Sequence, residues 1–169
     1  MNNCGLHRVF EGSGQLRRAG VRPAGFTLVE ISIVLIIVAL LAGIALPSYT
    51  DSRNKAAIAQ AKGDIGDLAI RINQYYADHR AFPTSLADIG KATLLDPWKH
   101  PYQYLDVTDI KKTKGKARKD KNLVPINSDF DLYSMGKDGK TAAPLTAKAS
   151  QDDIIRANDG RFIGLGSEY

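Results

Sequence analysis

The sequence predicts an α+β protein in which a long N-terminal helix, half transmembrane and half amphipathic, packs on a small antiparallel β-sheet. Three observations support this prediction. An uninterrupted apolar run lies near the start of the chain, apolar residues then recur at helical spacing, and short alternating segments bounded by turn residues fill the remainder. The 169 residues allow one small globular domain beyond the apolar run.

The apolar run at 26–46 is long enough to cross a bilayer. From Ile31 to Leu46 no residue is charged, and at about 1.5 Å per helical residue this part reaches roughly 24 Å of a hydrocarbon core about 30 Å thick. The segment 26–29 completes the span. A basic segment precedes the run, which places the amino end in the cytoplasm by the positive-inside rule.

Two residues are unusual within and beside this run. Glu30 is a carboxylate near one end of the helix, where a charge in hydrocarbon costs about 3 kcal/mol or more unless it finds a partner. Pro47 lacks a backbone donor and clashes with the preceding turn, so we expect a kink or a local opening between Gly43 and Pro47. Glu30 is therefore a candidate functional residue, and Pro47 a candidate hinge.

The helix is predicted to continue beyond Pro47 as an amphipathic segment, from about Thr27 to Ala77 in all. Its apolar side chains are spaced alternately by three and four residues and comprise Ile58, Ala61, Ile65, Leu68, Ile72 and Tyr75. Such a stripe is typical of a helix face packed on a sheet of its own domain, with a seam between subunits as the alternative.

Short elements follow the helix. Residues 84–90 predict a short capped helix, and the Asp96-Pro97-Trp98 turn feeds an alternating aromatic strand over 101–105. Residues 129–133 alternate as a further strand, and the tail at 158–166 has a turn and a last strand. The tryptophan is expected to anchor the core, with contact to a partner as the alternative.

A basic segment lies at 111–121, where seven basic side chains are opposed only by Asp120. A solvated hairpin loop is the simplest interpretation, and contact with anionic headgroups or with an acidic patch on another subunit is the alternative. Binding of nucleic acid would need aromatic residues among the cations, and this segment has none. We therefore expect no nucleic-acid partner.

No catalytic constellation is recognisable in the sequence. His79 and His100 lie far apart in the chain, Cys4 in the leader is the single cysteine, and no phosphate-binding glycine loop is present. We therefore expect a protein that is not an enzyme. The chain after the leader can form neither a disulfide nor a reactive thiol.

The leader boundary, Gly25-Phe26-Thr27-Leu28-Val29-Glu30, resembles the class III signal of type IV pilins and type II secretion pseudopilins. The resemblance implies that a prepilin peptidase cuts after Gly25 and methylates the new amino terminus at Phe26. Such a cut leaves an amino cation four residues from Glu30, so the amine of a neighbouring subunit could neutralise this carboxylate in a packed bundle. An ordinary single-pass anchor is the alternative.

Two later segments resemble the major pseudopilins in particular. The run from Asp96 to Tyr102 is similar to the family's Asp-Pro-Trp-Gly-Asn-Pro-Tyr turn, with Lys99 and His100 in place of Gly-Asn. The run from Asp131 to Gly139 is similar to the family's Asp-Leu-Tyr-Ser-Leu-Gly-Ala-Asp-Gly, beside which a loop calcium stands in for a disulfide.

The second of these resemblances implies a calcium site. Its ligands would be the carbonyl of Met135, the carboxylate of Asp138 and a later carboxylate from Asp152 or Asp153. Spacing alone is a weak metal signal, because it lacks the central glycine and terminal glutamate of an EF-hand, although loop aspartates suit a hard cation.

The resemblance also implies a pilin-like fold in three parts, which are a cleaved leader at 1–25, a transmembrane and polymerisation helix at 26–49, and a periplasmic globular domain at 50–169. It implies a structural subunit of a type II secretion pseudopilus, held in the inner membrane by a single span. The implied partners are further copies of this chain, minor pseudopilins, the prepilin peptidase and the inner-membrane assembly platform. A type IV pilus subunit for adhesion, motility or DNA uptake is the alternative, and a tethered binding module that never polymerises is a third hypothesis.

Overall fold

The protein is described here by a computed structural model that covers residues 25–113 and 115–169, without the side chains of 45–47 and 110. Its helices and strands, in chain order, are α1 (Leu28–His79), β1 (Gln103–Asp106), α2 (Ile110–Thr113), β2 (Phe130–Ser134), β3 (Ile154–Ala157) and β4 (Phe162–Leu165). Short 3₁₀ turns lie at Leu86–Ile89, Lys148–Ser150, Asn158–Gly160 and Gly166–Glu168. The predicted α+β class, a long helix with a small antiparallel sheet, is confirmed.

The chain divides into two compact units, Met1–Gly43 and Ile44–Tyr169. In the described part of the first unit, α1 starts with Thr27 as its cap, since the Thr27 hydroxyl oxygen accepts the Glu30 N–H at 3.2 Å. All residues of this part are exposed, and α1 is the one helix in the described ranges that is long and apolar enough to cross a membrane. A helix that is apolar all round and unpacked suits hydrocarbon surroundings.

Two predictions about the N-terminal region remain untested by the structure. Apart from Gly25, the leader lies outside the described residues. The kink expected between Gly43 and Pro47 falls where the two units join. The predicted bounds of the helix, by contrast, agree with Leu28–His79 to within about two residues.

The second unit contains a four-stranded antiparallel sheet in the order β1-β2-β3-β4. Tyr104 pairs with Leu132, Ser134 pairs with Ile154, and Ile154 pairs with Leu165 on its other side. The strands β1, β2 and β4 lie where the alternating segments predicted them, whereas β3 is a strand that the sequence analysis missed.

One face of this sheet packs on the predicted stripe of α1. Ala61, Ile65, Leu68 and Ile72 are completely buried and belong to one core with Phe130, Leu132 and Ile154. Ile58 packs against this core at its edge, as does the half-buried Trp98. The interpretation of the stripe as a face packed on its own domain is therefore confirmed, and Trp98 anchors the edge of the core rather than its centre.

The opposite face of the sheet carries a second, smaller core formed by Ile126, Leu145, Ile155 and Ala157. The basic segment also contributes to this side. It begins with α2 and then buries Ala117 and Arg118, which are only 6% and 2% exposed. The prediction of a solvated hairpin loop over 111–121 is therefore wrong at these positions, because Arg118 forms an ion pair with Asp153 beneath the surface.

Candidate functional site

The Gly25–Phe26 bond lies in a non-helical segment just before α1. Phe26 is 78% exposed, and Glu30 is exposed one turn into the helix. Among the described residues, no basic side chain lies within ion-pair distance of Glu30. The peptide bond before Phe26 thus joins two exposed residues, and the exposed Glu30 carboxylate has no ion-pair partner among the described residues.

The surface around Glu30 is apolar. The large side chains from Leu28 to Ile44 are about half exposed or more, with Leu28 at 84% and Ile44 at 70%. A contiguous apolar surface of this kind marks a site that lipid or other apolar segments cover. Once desolvated there, a carboxylate would need a cation close to it.

The Asp96-Pro97-Trp98 turn is held together by its aspartate. One oxygen of the Asp96 carboxylate accepts the N–H groups of Trp98 at 3.0 Å and of His100 at 2.8 Å. The other oxygen accepts the hydroxyl of Ser134, and this hydroxyl oxygen in turn accepts the Gly136 N–H. This turn is therefore fastened to the end of β2, so the two segments that resemble pseudopilins form one structural unit.

The two residues that depart from the family's Gly-Asn are accommodated differently. Lys99 adopts a left-handed backbone conformation with φ of 78°, which glycine accepts more easily than lysine. The His100 ring nitrogen Nδ1 hydrogen-bonds the carbonyl oxygen of Gly136 at 3.1 Å, which adds a further contact to the end of β2. Lys99 thus takes a backbone conformation that favours glycine, while His100 fastens the turn to the end of β2.

The candidate calcium residues lie in the connection between β2 and β3. The Asp152 carboxylate accepts the N–H groups of Lys137 at 3.0 Å and of Asp138 at 3.1 Å, while Asp138 accepts the Lys140 N–H at 2.8 Å. A Cβ at Gly136 would overlap the main chain of Asp152, so the turn and this aspartate are in close contact. Met135 precedes the same turn.

Asp153 faces a different environment from Asp152. One of its oxygens accepts Arg118 Nη2 at 2.6 Å and the Thr141 hydroxyl at 2.6 Å, and the other is buried without a hydrogen-bond partner. Burial raises the pKa of Asp153, although the bonds from Thr141 and Arg118 and the charge of Arg118 oppose this shift. Asp153 is therefore already paired with a cation, whereas Asp152 contacts the turn that contains Asp138.

Whether a hard cation could bind in this connection depends on the oxygen donors that the connection offers. In the described ranges, no group of three or more His, Cys, Asp or Glu side chains is arranged to hold a metal. Asp138 and Asp152 border one turn, so a cation there would take two carboxylates and complete its shell with main-chain carbonyls and water, which calcium accepts. The donor set fits calcium in chemistry through these two residues.

Comparison with known proteins supplies the family. The prokaryotic N-terminal methylation motif matches residues 22–46, which include Gly25, Phe26 and Glu30. The chain is 31% identical over 140 residues to the type II secretion system core protein G of Pseudomonas aeruginosa, with 70% of this chain and 87% of that protein covered. The chain belongs to the family of type II secretion core protein G and the type IV pilins.

Other members of this family show similar likeness. Core protein G of Aeromonas hydrophila is 28% identical over 140 residues, with 70% of this chain and 86% of that protein covered. A type IV major pilin protein of Neisseria gonorrhoeae is 35% identical over 148 residues, with 82% of this chain and 87% of that protein covered. No solved structure was found to match. The resemblance stated from the leader boundary is confirmed.

Two residues of this family member were missed by sequence reasoning. From the sequence, Ser134 is only one residue of the run that resembles the pseudopilins, and Arg118 is only one of seven basic residues at 111–121. A usable signal existed for Arg118, because it is the one arginine in a lysine-rich segment and follows the small residue Ala117. Arginine is the cation that buried ion pairs favour.

Proposed function

We propose that this chain is a structural subunit of a type II secretion pseudopilus, which polymerises through its N-terminal helix to drive the export of folded proteins. The observation that carries the proposal is the methylation motif at the head of an exposed apolar helix with a single carboxylate. The relatives named core protein G support the secretion assignment.

The proposed chemistry of assembly uses one amine and one carboxylate from each subunit. Cleavage after Gly25 would free the amine of Phe26, and the peptidase would methylate this amine in a separate step. Glu30 then accepts the Phe26 amine of a neighbouring subunit, which offsets the cost of about 3 kcal/mol or more of holding a charge in hydrocarbon. The exposed aliphatic side chains of the same helix pack between subunits as the filament grows.

This role is structural and not enzymatic. The named relatives are a secretion core protein and pilins, and subunit addition would draw its energy from a separate motor. The single span would hold the chain in the inner membrane, with the globular unit in the periplasm. Partners would be other copies of this chain, minor pseudopilins, the prepilin peptidase and the assembly platform.

Calcium is a second part of the proposal. The carboxylates of Asp138 and Asp152 and the carbonyl of Met135 would hold the ion beside the turn that follows β2, and Asp153 would stay with Arg118. A bound cation would supply charge neutralisation between the two carboxylates and so tighten the turn. The observation that supports it is the contact of the Asp152 carboxylate with the N–H of Asp138.

A type IV pilus subunit is the second candidate function, favoured by the likeness to a Neisseria gonorrhoeae pilin. The absence of cysteine after the leader favours the secretion assignment, because the resemblance implies that a loop calcium stands in for a disulfide in the major pseudopilins. Both candidates use the same N-terminal chemistry.

The two candidates and the shared chemistry can be tested in one strain. We expect Glu30→Val to insert and to be processed at Phe26 but to give few filaments, while a Glu30→Asp control, which keeps the charge, retains more of them. Loss of the wild-type gene should abolish secretion of a folded exoprotein, whereas loss of surface pili with secretion intact would favour the pilus subunit. Normal filament yield from Glu30→Val would contradict the charge-pair mechanism.

A further inference from the structure

Arg118 lies at the centre of a buried polar network on the far side of the sheet from α1. Its Nη2 donates to Asp153 at 2.6 Å, and its Nη1 donates to the Thr141 hydroxyl and to the carbonyl of Ala142. Its guanidinium carbon lies 4.4 Å from the centre of the Tyr133 ring. One side chain that is 2% exposed therefore contacts three separate parts of the chain.

These contacts span the whole connection between β2 and β3. Tyr133 belongs to β2, Thr141 and Ala142 lie in the middle of the connection, and Asp153 directly precedes β3. The main chain at Arg118 is fixed as well, because its N–H donates to the Asp131 carboxylate at 2.6 Å. The guanidinium thus fastens the middle of the connection to the ends of β2 and β3, the two strands that the connection joins.

The charge of Arg118 is required by what surrounds it. Asp153 is completely buried and Asp131 is 1% exposed, and a buried carboxylate is costly unless it is paired. Arg118 is the cation that approaches Asp153 among the described residues. The guanidinium neutralises the buried Asp153 carboxylate and also donates to Thr141 and Ala142, so it joins separate segments as a bound metal ion does elsewhere.

We infer that Arg118 is an internal cation clamp, which holds the connection between β2 and β3 closed through Asp153, Thr141 and Ala142 without a bound metal. The clamp goes beyond the proposed filament role and does not depend on it. Calcium at Asp138 and Asp152 would join the turn after β2 to the end of the connection, whereas Arg118 holds Thr141 and Ala142 in its middle, so the two cations would act at different points of the same connection.

The inference is tested by a double-mutant cycle on the full chain in detergent micelles. Arg118→Met and Asp153→Leu should each lower the melting temperature by roughly 10 °C or more, because each leaves a buried charge unpaired. The double variant, which has no buried charge at these two positions, should recover at least half of the larger loss. Additive losses in the double variant would overturn the clamp.

A chemical rescue separates the clamp from ordinary packing. Arg118→Ala should gain several degrees of melting temperature in methylguanidinium at about 10 mM, because the ion can occupy the vacated position beside Asp153. Leu145→Ala, which opens an apolar cavity on the same side of the sheet, is the matched control and should gain nothing. Equal responses of the two variants would overturn the inference.

A third measurement keeps the test decisive if Arg118→Met does not fold. Asp153→Asn keeps the shape of the side chain and removes its charge, so hydrogen exchange should speed up across 141–153 while α1 stays protected. The wild type in a calcium chelator should keep its protection at 141 and 142, the part of the connection that Arg118 contacts. Unchanged exchange in Asp153→Asn, or opening at 141 and 142 in the chelated wild type, would overturn the clamp.

Discussion

The hydroxyl of Ser134 donates a hydrogen bond of 2.5 Å to the carboxylate of Asp96, which lies 38 positions earlier in the chain. Both side chains are buried, with Ser134 fully so and Asp96 at 2% exposure. The Ser134 oxygen also accepts the Gly136 N–H at 3.1 Å. This hydroxyl therefore couples the turn before β1 to the turn after β2, where the candidate calcium ligands lie.

Removal of this hydroxyl should destabilise the globular unit. Ser134→Ala leaves a buried carboxylate oxygen of Asp96 without its donor and the Gly136 N–H without its acceptor, so we expect a loss of about 1–3 kcal/mol in the free energy of unfolding. Urea unfolding followed by tryptophan fluorescence would measure it. Ser167→Ala, at an exposed serine, is the control and should change stability by no more than about 0.5 kcal/mol. Equal effects of the two variants would rule out the coupling.

Replacement of Lys99 by glycine should stabilise the protein. Lys99 is exposed and has φ of 78°, so Lys99→Gly relieves backbone strain and should gain up to about 1 kcal/mol in the free energy of unfolding. Thermal melting would show the gain as a rise of a few degrees.

The matched control is Lys140→Gly, at an exposed lysine outside the left-handed region. Lys140→Gly should leave the free energy of unfolding unchanged or lower it by up to about 1 kcal/mol. Glycine relieves no backbone strain at this position, and it raises the conformational entropy of the unfolded chain. If Lys99→Gly lost as much stability as Lys140→Gly, strain at the turn would be disproved.

Calcium should raise the melting temperature of the wild type, and a chelator should reverse the rise. A ligand at about one hundred times its dissociation constant stabilises the folded state by about 2.7 kcal/mol. Asp138→Asn should abolish the response and keep the turn, since an amide oxygen can still accept the Lys140 N–H. Asp78→Ala, at an exposed helix position, should keep the response. A wild type that melts identically with calcium and with chelator would remove the metal from the proposal.

Stability at alkaline pH should depend on Tyr102. Its hydroxyl donates to Asp64 at 2.8 Å, and burial is the main cause that raises its pKa above the usual value of 10.0. Because the folded-state pKa is the higher one, the stabilising contribution is present below about pH 10 and is lost as the pH rises further.

Two tyrosine variants would measure this effect. Tyr102→Phe should lose about 1 kcal/mol at neutral pH and should make the free energy of unfolding fall less steeply above pH 10. Tyr104→Phe, added to Tyr102→Phe, should reduce the dependence of the free energy of unfolding on pH above pH 10 still more, because burial raises the pKa of Tyr104 as well. A slope unchanged by both variants would contradict this assignment.

Much of the fold follows from local patterns. The stripe from Ala61 to Ile72 has helical spacing and is completely buried, and the short helix after α1 has Ser85 as its N-cap and Gly90 as its left-handed C-cap. The strand β3 was missed because all four of its residues are buried, so its sequence lacks the alternation that marks a half-exposed strand. Arg156 is tolerated there because it pairs with Asp129.

The candidate sites differ in how far sequence could determine them. The processing motif is contiguous in sequence and could be recognised whole. The difference between Asp152 and Asp153 could not be predicted from sequence, because only the fold shows that Asp152 contacts the turn after β2 while Asp153 pairs with Arg118. Arg118 and Ser134 act through partners 35 and 38 positions away, and no local pattern reports such contacts.

The meeting of Glu30 with a neighbour's amine is the central claim, and imaging of the assembled fibre at side-chain resolution tests it most directly. The account predicts an amino terminus at Phe26 whose nitrogen lies within about 4 Å of the Glu30 carboxylate of another subunit. A fibre in which Glu30 faces lipid or water, with no Phe26 amine beside it, would contradict the account.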